Sequence, residues 1–256
     1  MKFFLALINP VRKFGRNFLS KGVSLLYPTT CAICNNKSHN HFCPECWDKI
    51  EFLKPPLCPK CGRPFSSDIS LSRSPDHLCS ECREIKTYFD KAIAIGSYDG
   101  TLAESIHFFK YRGKKGLGCP LGRIMAEYIG SNPSLFPHSS LAVLPVPLHL
   151  KRLREREFNQ SLLLAKEISR AFRIPLIPDN LQRVRWTKPQ IELKGEERLM
   201  NVKGAFEVKD PKDIEGKSLL LIDDVYTTGA TVRECSKVLK KAGAEKVYVL
   251  TLARVI

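Results

Sequence analysis

From about residue 88 onward, apolar positions come in blocks that alternate between two spacings. Ala92–Tyr98 reads as a strand, and Leu102–Tyr111 and Leu121–Ile129 read as helices. Ser140–Leu148 is a strand that ends in prolines. Asn159–Phe172 is a helix with Leu162, Leu163, Ile168 and Phe172 on roughly one side. Ser218–Ile222 is a continuous apolar run, as expected of a strand buried on both faces. Ala230–Ala242 is a helix with Val232, Cys235, Val238 and Leu239 inward, and Lys246–Leu252 is a last strand. Strand–helix alternation over residues 87–256 predicts an α/β fold, a parallel sheet with helices on both faces. Arg183–Gly204 has no such period and is dense in charge, which marks it as a functional or disordered loop.

Upstream the pattern is different. Residues 28–86 carry four C-x-x-C pairs: Cys31/Cys34, Cys43/Cys46, Cys58/Cys61 and Cys79/Cys82. Two such pairs supply a tetrahedral four-thiolate zinc site, so eight ligands predict about two structural zinc ions. Iron–sulfur ligation uses the same ligand type and stays open. The second pairs, Cys43-Pro-Glu-Cys46 and Cys79-Ser-Glu-Cys82, resemble each other, and Asn35 and Gly62 suit a left-handed knuckle turn. This weak repeat favours two zinc ribbons in series over cross-braced or nested pairing. Cys119 and Cys235 fall outside the module, and Cys235 reads as packing.

Charge adds a ligand class. The formal net charge is +15, shared as +6 over residues 1–86 and +9 over residues 87–256. Two zinc ions, each held by four thiolates, would lower the total to about +11. A basic surface of this kind suits a phosphorylated small molecule or a nucleic acid. No apolar run reaches the roughly 18 residues of a membrane span. Residues 1–27 carry Lys2, Arg12, Lys13, Arg16 and Lys21 with interleaved Phe and Leu and no acid. They predict a basic amphipathic helix, docked on its own protein or on a membrane surface or partner. Without a cleavable signal the expected compartment is the cytoplasm, peripheral to the inner membrane in the second case.

The sharpest motif is Leu219–Thr231, LLLIDDVYTTGAT. An apolar strand leads to Asp223 and Asp224, then to Thr227, Thr228, Gly229, Ala230 and Thr231 at a helix start. Loop amides and a helix N-terminus bind phosphate, and paired carboxylates accept hydrogen bonds from a sugar diol. Phosphate and diol together describe a ribose 5-phosphate. The absence of a Lys after the glycine excludes a Walker loop.

This segment resembles the signature of type I phosphoribosyltransferases, which bind phosphoribosyl pyrophosphate (PRPP). The whole chain resembles the ComF/GntX family, through Lys110–Gly113, Val143–His149, Arg152–Gln160, Arg183–Gln190, Arg198–Phe206 and the cysteine module. Glu157 stands where that family usually carries Gly. The resemblance implies a type I phosphoribosyltransferase-like sheet behind a double zinc ribbon. It implies that Asp223 and Asp224 hold the ribose and Thr227–Thr231 the 5-phosphate. It gives pyrophosphate to Lys151 and Arg152, with Mg2+ bridging, and makes Arg183–Gly204 a hood whose Lys188 and Arg198 serve catalysis. That hood is expected to exchange amide protons quickly when the site is empty. Two functions follow: phosphoribosyl transfer to an unknown nucleophile, linked to DNA uptake, or DNA binding by the ribbons with a regulatory PRPP site. The partners implied are PRPP, single-stranded DNA, and a DNA-uptake helicase or membrane channel protein.

Overall fold

The computed structural model describes residues 30–31, 33–38, 42–65, 77–111, 114–136, 141–187 and 195–256. The helix expected over residues 1–27 and the catalytic candidate Lys188 lie outside them.

Two knuckles open the described chain. In each, the first C-x-x-C pair closes a turn through a left-handed residue, Asn35 at φ 60° and Gly62 at φ 69°. The hydrogen bonds repeat as well: Asn35 N donates to Cys31 O and Gly62 N to Cys58 O. The second pair starts a short helix in both cases, α1 (Pro44–Asp48) and α2 (Ser80–Glu84), with Cys43 and Cys79 at the N-caps. The sequence repeat is therefore a structural repeat.

Four strands form a parallel sheet: β1 (Lys91–Ser97), β2 (Leu141–Pro145), β5 (Ser218–Tyr226) and β6 (Lys246–Arg254), in the order β1-β6-β5-β2. A separate antiparallel pair joins β3 (Leu181–Arg183) to β4 (Phe206–Val208). The helices of this part are α3 (Gly100–Tyr111), α4 (Gly118–Ser131), α5 (Leu150–Arg156), α6 (Gln160–Phe172), α7 (Gly195–Val202) and α8 (Ala230–Lys241). Along β5, Leu220 and Ile222 enter the core shared with α3, α4 and α6, while Leu219 and Leu221 enter the core shared with α8. Burial on both faces explains why this strand reads as an unbroken apolar run. The link between the ribbons covers the β1 edge: Leu53 N donates to Ile95 O at 2.9 Å and Ser97 N to Glu51 O at 2.9 Å.

Three expectations are corrected. β5 continues through Tyr226, so Asp223 and Asp224 lie within the strand rather than after it. The buried face of α6 is Gln160, Ser161, Leu164, Ala165 and Ile168, with Leu162 and Leu163 only half-buried. Polar Gln160 and Ser161 take buried positions because they face the site, and a reading of apolar spacing alone rotates the helix. Arg183–Gly204 is not devoid of structure, because its two ends join β3 and α7 to the fold. Arg185 Nη2 donates to Asn201 O at 2.9 Å and Lys203 O at 2.7 Å, and Gly204 N donates to Glu234 Oε1 at 2.8 Å. Arg185 contributes to that loop as a staple across its ends, a role that periodicity cannot reveal.

Glu157 closes α5 in the left-handed region at φ 63°. A side chain there costs roughly 1 kcal/mol relative to glycine. Its ion pair with Lys115, at 3.1 Å, is solvent-exposed and offsets little of that cost. Glu157→Gly is therefore expected to stabilise the protein by about 0.5–1 kcal/mol in chemical denaturation. A destabilised variant would show that the exposed ion pair outweighs the backbone strain.

Candidate phosphate and ribose site with two metal centres

The site lies at the carboxyl end of the sheet. β2 stops at Pro145, opposite Ile222, so β5 runs on beyond it with its β2 side open. In open α/β sheets ligands sit in this kind of crevice. Asp223 Oδ1 accepts from Ser161 Oγ at 3.1 Å and from Asp224 N at 2.9 Å. Burial, aided by the neighbouring Asp224 carboxylate, pushes the Asp223 carboxyl up to about 7. Asp224 is buried and pairs with Lys110 Nζ from the end of α3 at 2.7 Å. Burial disfavours the Lys110 ammonium, but Asp224 more than compensates and raises its pKa.

The loop that follows β5 turns at Gly229, φ 73°, the N-cap of α8. A Cβ at that position would overlap the Tyr226 hydroxyl, so only glycine combines this φ with this close approach. Thr228 Oγ1 accepts from Ala230 N at 3.4 Å, and Arg233 N donates to Gly229 O at 2.9 Å. Thr227, Thr228, Gly229, Ala230 and Thr231 thus form one tight strand–turn–helix passage beside the two carboxylates.

α5 follows β2, the strand beside β5. His149 caps it by accepting from Lys151 N at 3.2 Å. Lys151 and Arg152 lie over the Trp186 ring, 4.7 and 5.5 Å from its centroid, while Arg152 also pairs with Glu155 at 3.0 Å. Arg156 lies 5.0 Å over the exposed Tyr111 ring. Arg198 stands on α7, but its side chain lies outside the described residues.

Several site residues escape a sequence reading. Lys110 belongs to a charge run that reads equally well as a solvated face, and only the fold carries it to Asp224. Ser161 reads as one polar residue of α6. Arg183, between Phe206 at 5.2 Å and Thr187, is half-buried and its buried Nε has no hydrogen-bond partner among the described residues. Ser161 follows the Phe-Asn-Gln string, and Lys110 opens the Lys-Tyr-Arg-Gly string, so both had a motif as their one available signal.

The eight cysteines of the four pairs gather into two groups, Cys31/Cys34/Cys43/Cys46 and Cys58/Cys61/Cys79/Cys82, each with its sulfurs within 4.8 Å of one another. Cys34 and Cys43 sulfurs are 3.6 Å apart, as are those of Cys61 and Cys79. Four sulfurs at about 2.3 Å from a tetrahedral zinc lie about 3.8 Å apart, so both groups fit the ion. Pairing is serial, as the repeat suggested. In the second group, hydrogen bonds from Cys61 and then Cys82 hold the Cys58 thiol far below its ordinary value, while Cys58 pushes Cys82 far above. Thiols crowded in this way are suited to give up their protons to one cation.

Two family models match the chain, a double zinc ribbon domain over residues 22–83 and a phosphoribosyl transferase domain over residues 159–255. Competence protein F of Haemophilus influenzae is 32% identical over 88% of this chain and 96% of its own length. Competence protein ComFC of Bacillus subtilis is 28% identical over 85% of this chain and 86% of its own. DNA utilization protein YhgH of Escherichia coli is 28% identical over 91% of this chain and all of its own length. With the two four-cysteine centres, the parallel sheet and the ribose-type loop in one chain of matching extent, the protein belongs to the ComF family of phosphoribosyltransferase-domain proteins.

Proposed function

We propose that the protein binds PRPP at the end of β5 and displaces pyrophosphate from its anomeric carbon with a nitrogen nucleophile. The observation that carries this reading is the adjacent Asp223–Asp224 pair beside the left-handed Gly229 turn into α8. Asp223 and Asp224 accept the ribose hydroxyls. Thr227, Thr228 and Thr231, with the amides from Gly229 and Ala230, hold the 5-phosphate. Lys151 and Arg152, on α5, take the pyrophosphate as charge-assisted donors. Mg2+, if it accompanies PRPP, would supply charge neutralisation and would need few protein ligands, the residues that hold the ribose and pyrophosphate staying those named above. Lys188 and Arg198 of the hood stabilise the leaving group, and the hood excludes water.

Lys110 gives the reading a specific test. It neutralises Asp224, and the ribose hydroxyls must share that carboxylate with it. Calorimetry of the full chain with PRPP and Mg2+ is expected to show 1:1 binding. Lys110→Met is expected to weaken that binding about ten-fold or more, because the negative charge of Asp224 is then no longer offset beside a polyanionic ligand. No heat with wild-type protein would overturn the PRPP assignment.

A second reading is single-stranded nucleic-acid binding. Its support is a cation–aromatic surface, Lys151 and Arg152 on Trp186 and Arg156 on the exposed Tyr111, rather than anything in the ribbons. Base stacking on aromatic rings beside basic side chains is the usual platform for such strands. Relatives named for competence and DNA utilization are consistent with it. The same reading puts the protein in the cytoplasm near the inner membrane, with a DNA-uptake helicase or membrane channel protein as partner. Among the described residues, no helix is long and apolar enough to cross a membrane. Oligonucleotide binding at two salt concentrations, with Trp186→Ala as control, tests this reading.

A further inference from the structure

The two metal centres are not placed alike. The first, at Cys31/Cys34/Cys43/Cys46, forms a small cluster of its own with Ile33. The second, at Cys58/Cys61/Cys79/Cys82, is packed into the core that also holds Tyr226, Ala230 and Val232, the underside of the phosphate loop.

Two arms run from the second centre to that loop. In the first, Cys61 O accepts from Arg254 Nη1 at 2.8 Å. The Arg254 guanidinium, 1% exposed, lies 4.3 Å over the Tyr226 ring, and the Tyr226 hydroxyl packs beneath Gly229. In the second, Glu81, set between Cys79 and Cys82, accepts from Arg233 Nη2 at 2.5 Å. Arg233 stands in the first turn of α8 and donates its own N–H to Gly229 O at 2.9 Å. Glu81 also lies 4.0 Å from Arg254 and 3.5 Å from Arg63. Two guanidinium groups, Arg254 and Arg233, are therefore buried against one carboxylate. Burying a charge is costly unless it is compensated. A zinc held by four thiolates carries a net charge of about −2 and offsets both cations.

We propose that Glu81, Arg233 and Arg254 make the second four-cysteine centre a brace for the phosphate loop, so that the shape of Tyr226–Gly229 depends on that centre being metal-loaded and not on the first. These three are positioning residues. The link to PRPP affinity rests on the proposed function, whereas the link to loop order does not.

The repeat supplies an internal control. Glu45 occupies in the first knuckle the place of Glu81 in the second, but it is exposed and, among the described residues, forms no ion pair with the sheet. The experiment measures zinc content, amide exchange across residues 226–233, and PRPP–Mg2+ affinity for the full chain and for Glu81→Gln and Glu45→Gln. Glu81→Gln is expected to keep both zinc ions, raise loop exchange about ten-fold and weaken PRPP binding about ten-fold. Glu45→Gln is expected to change none of these. Unchanged loop exchange in a Glu81→Gln protein that retains two zinc ions overturns the proposal, and so does equal acceleration in Glu45→Gln. If Glu81→Gln loses the second zinc, Arg254→Met carries the same test, since Arg254 bonds Cys61 through its carbonyl oxygen and not its sulfur. Should wild-type protein bind no PRPP, the proposed function fails while the exchange comparison still decides the brace.

Discussion

Asp224→Asn is expected to cost about 2–4 kcal/mol of stability, because it leaves the Lys110 ammonium buried without its counter-charge. Asp223→Asn is expected to cost far less. Its carboxyl already favours the neutral form, being raised to about 7 by burial and by Asp224. The sign of the pH effect follows. Between the ordinary carboxylate value and about 7, folded protein holds a proton on Asp223 that the unfolded chain has released. Stability contributed by this group is full below that window and is lost as pH rises through it. Asp223→Asn should remove that slope between about pH 4 and 7, as read from denaturation midpoints. Asp224→Asn should weaken PRPP binding roughly thirty-fold, from a charged hydrogen bond worth about 2 kcal/mol, and Asp223→Asn should weaken it less below about pH 7, where that carboxyl is already neutral. In the double variant the binding should vanish while the far-ultraviolet spectrum persists. Unchanged affinity in the double variant would sink the ribose assignment. Equal stability losses at the two aspartates would refute the pairing of Lys110 with Asp224.

Removal of metal is expected to have the other large effect. Metal analysis should return two zinc ions per chain, with one lost in Cys34→Ser and the other in Cys58→Ser. A structural zinc contributes on the order of 10 kcal/mol to the fold of its own module, so each loss should unfold one ribbon. A chelator should act in two phases. Cys34 is exposed, whereas the second group is buried apart from the half-buried Cys82. The first ribbon should therefore release its ion earlier, at lower chelator concentration. Iron with labile sulfide, or one zinc per chain, would overturn the assignment. A single release phase would contradict the different burial of the two centres.

Much of this could be read from the residues in order. Strands buried on both faces have to be apolar throughout, so the β5 run was visible, and the helices around it follow from their spacing. Cysteine spacing is a local property, because a C-x-x-C turn closes within four residues. The serial grouping of the pairs was likewise visible as a repeat around Asn35 and Gly62. The same holds for the Asp223–Thr231 passage, since strand, carboxylates, turn and helix start are contiguous.

Tertiary structure alone decided everything that depends on residues far apart in the chain. Lys110 on α3 reaches Asp224 on β5, and Glu81 reaches Arg233 across 152 positions. No periodicity encodes such pairs, because a charged side chain at the end of a helix looks the same whether it meets water or a buried carboxylate. Arg183–Gly204 looked irregular because its ends are held by Arg185 and Gly204 to backbone and to Glu234, contacts independent of hydrophobic pattern. The buried face of α6 departs from its apolar spacing for the related reason that polar burial, here of Gln160 and Ser161, inverts the rule by which helix faces are read. Local order lies in the sequence because neighbouring residues create it. Long-range charge compensation appears only when the chain closes on itself.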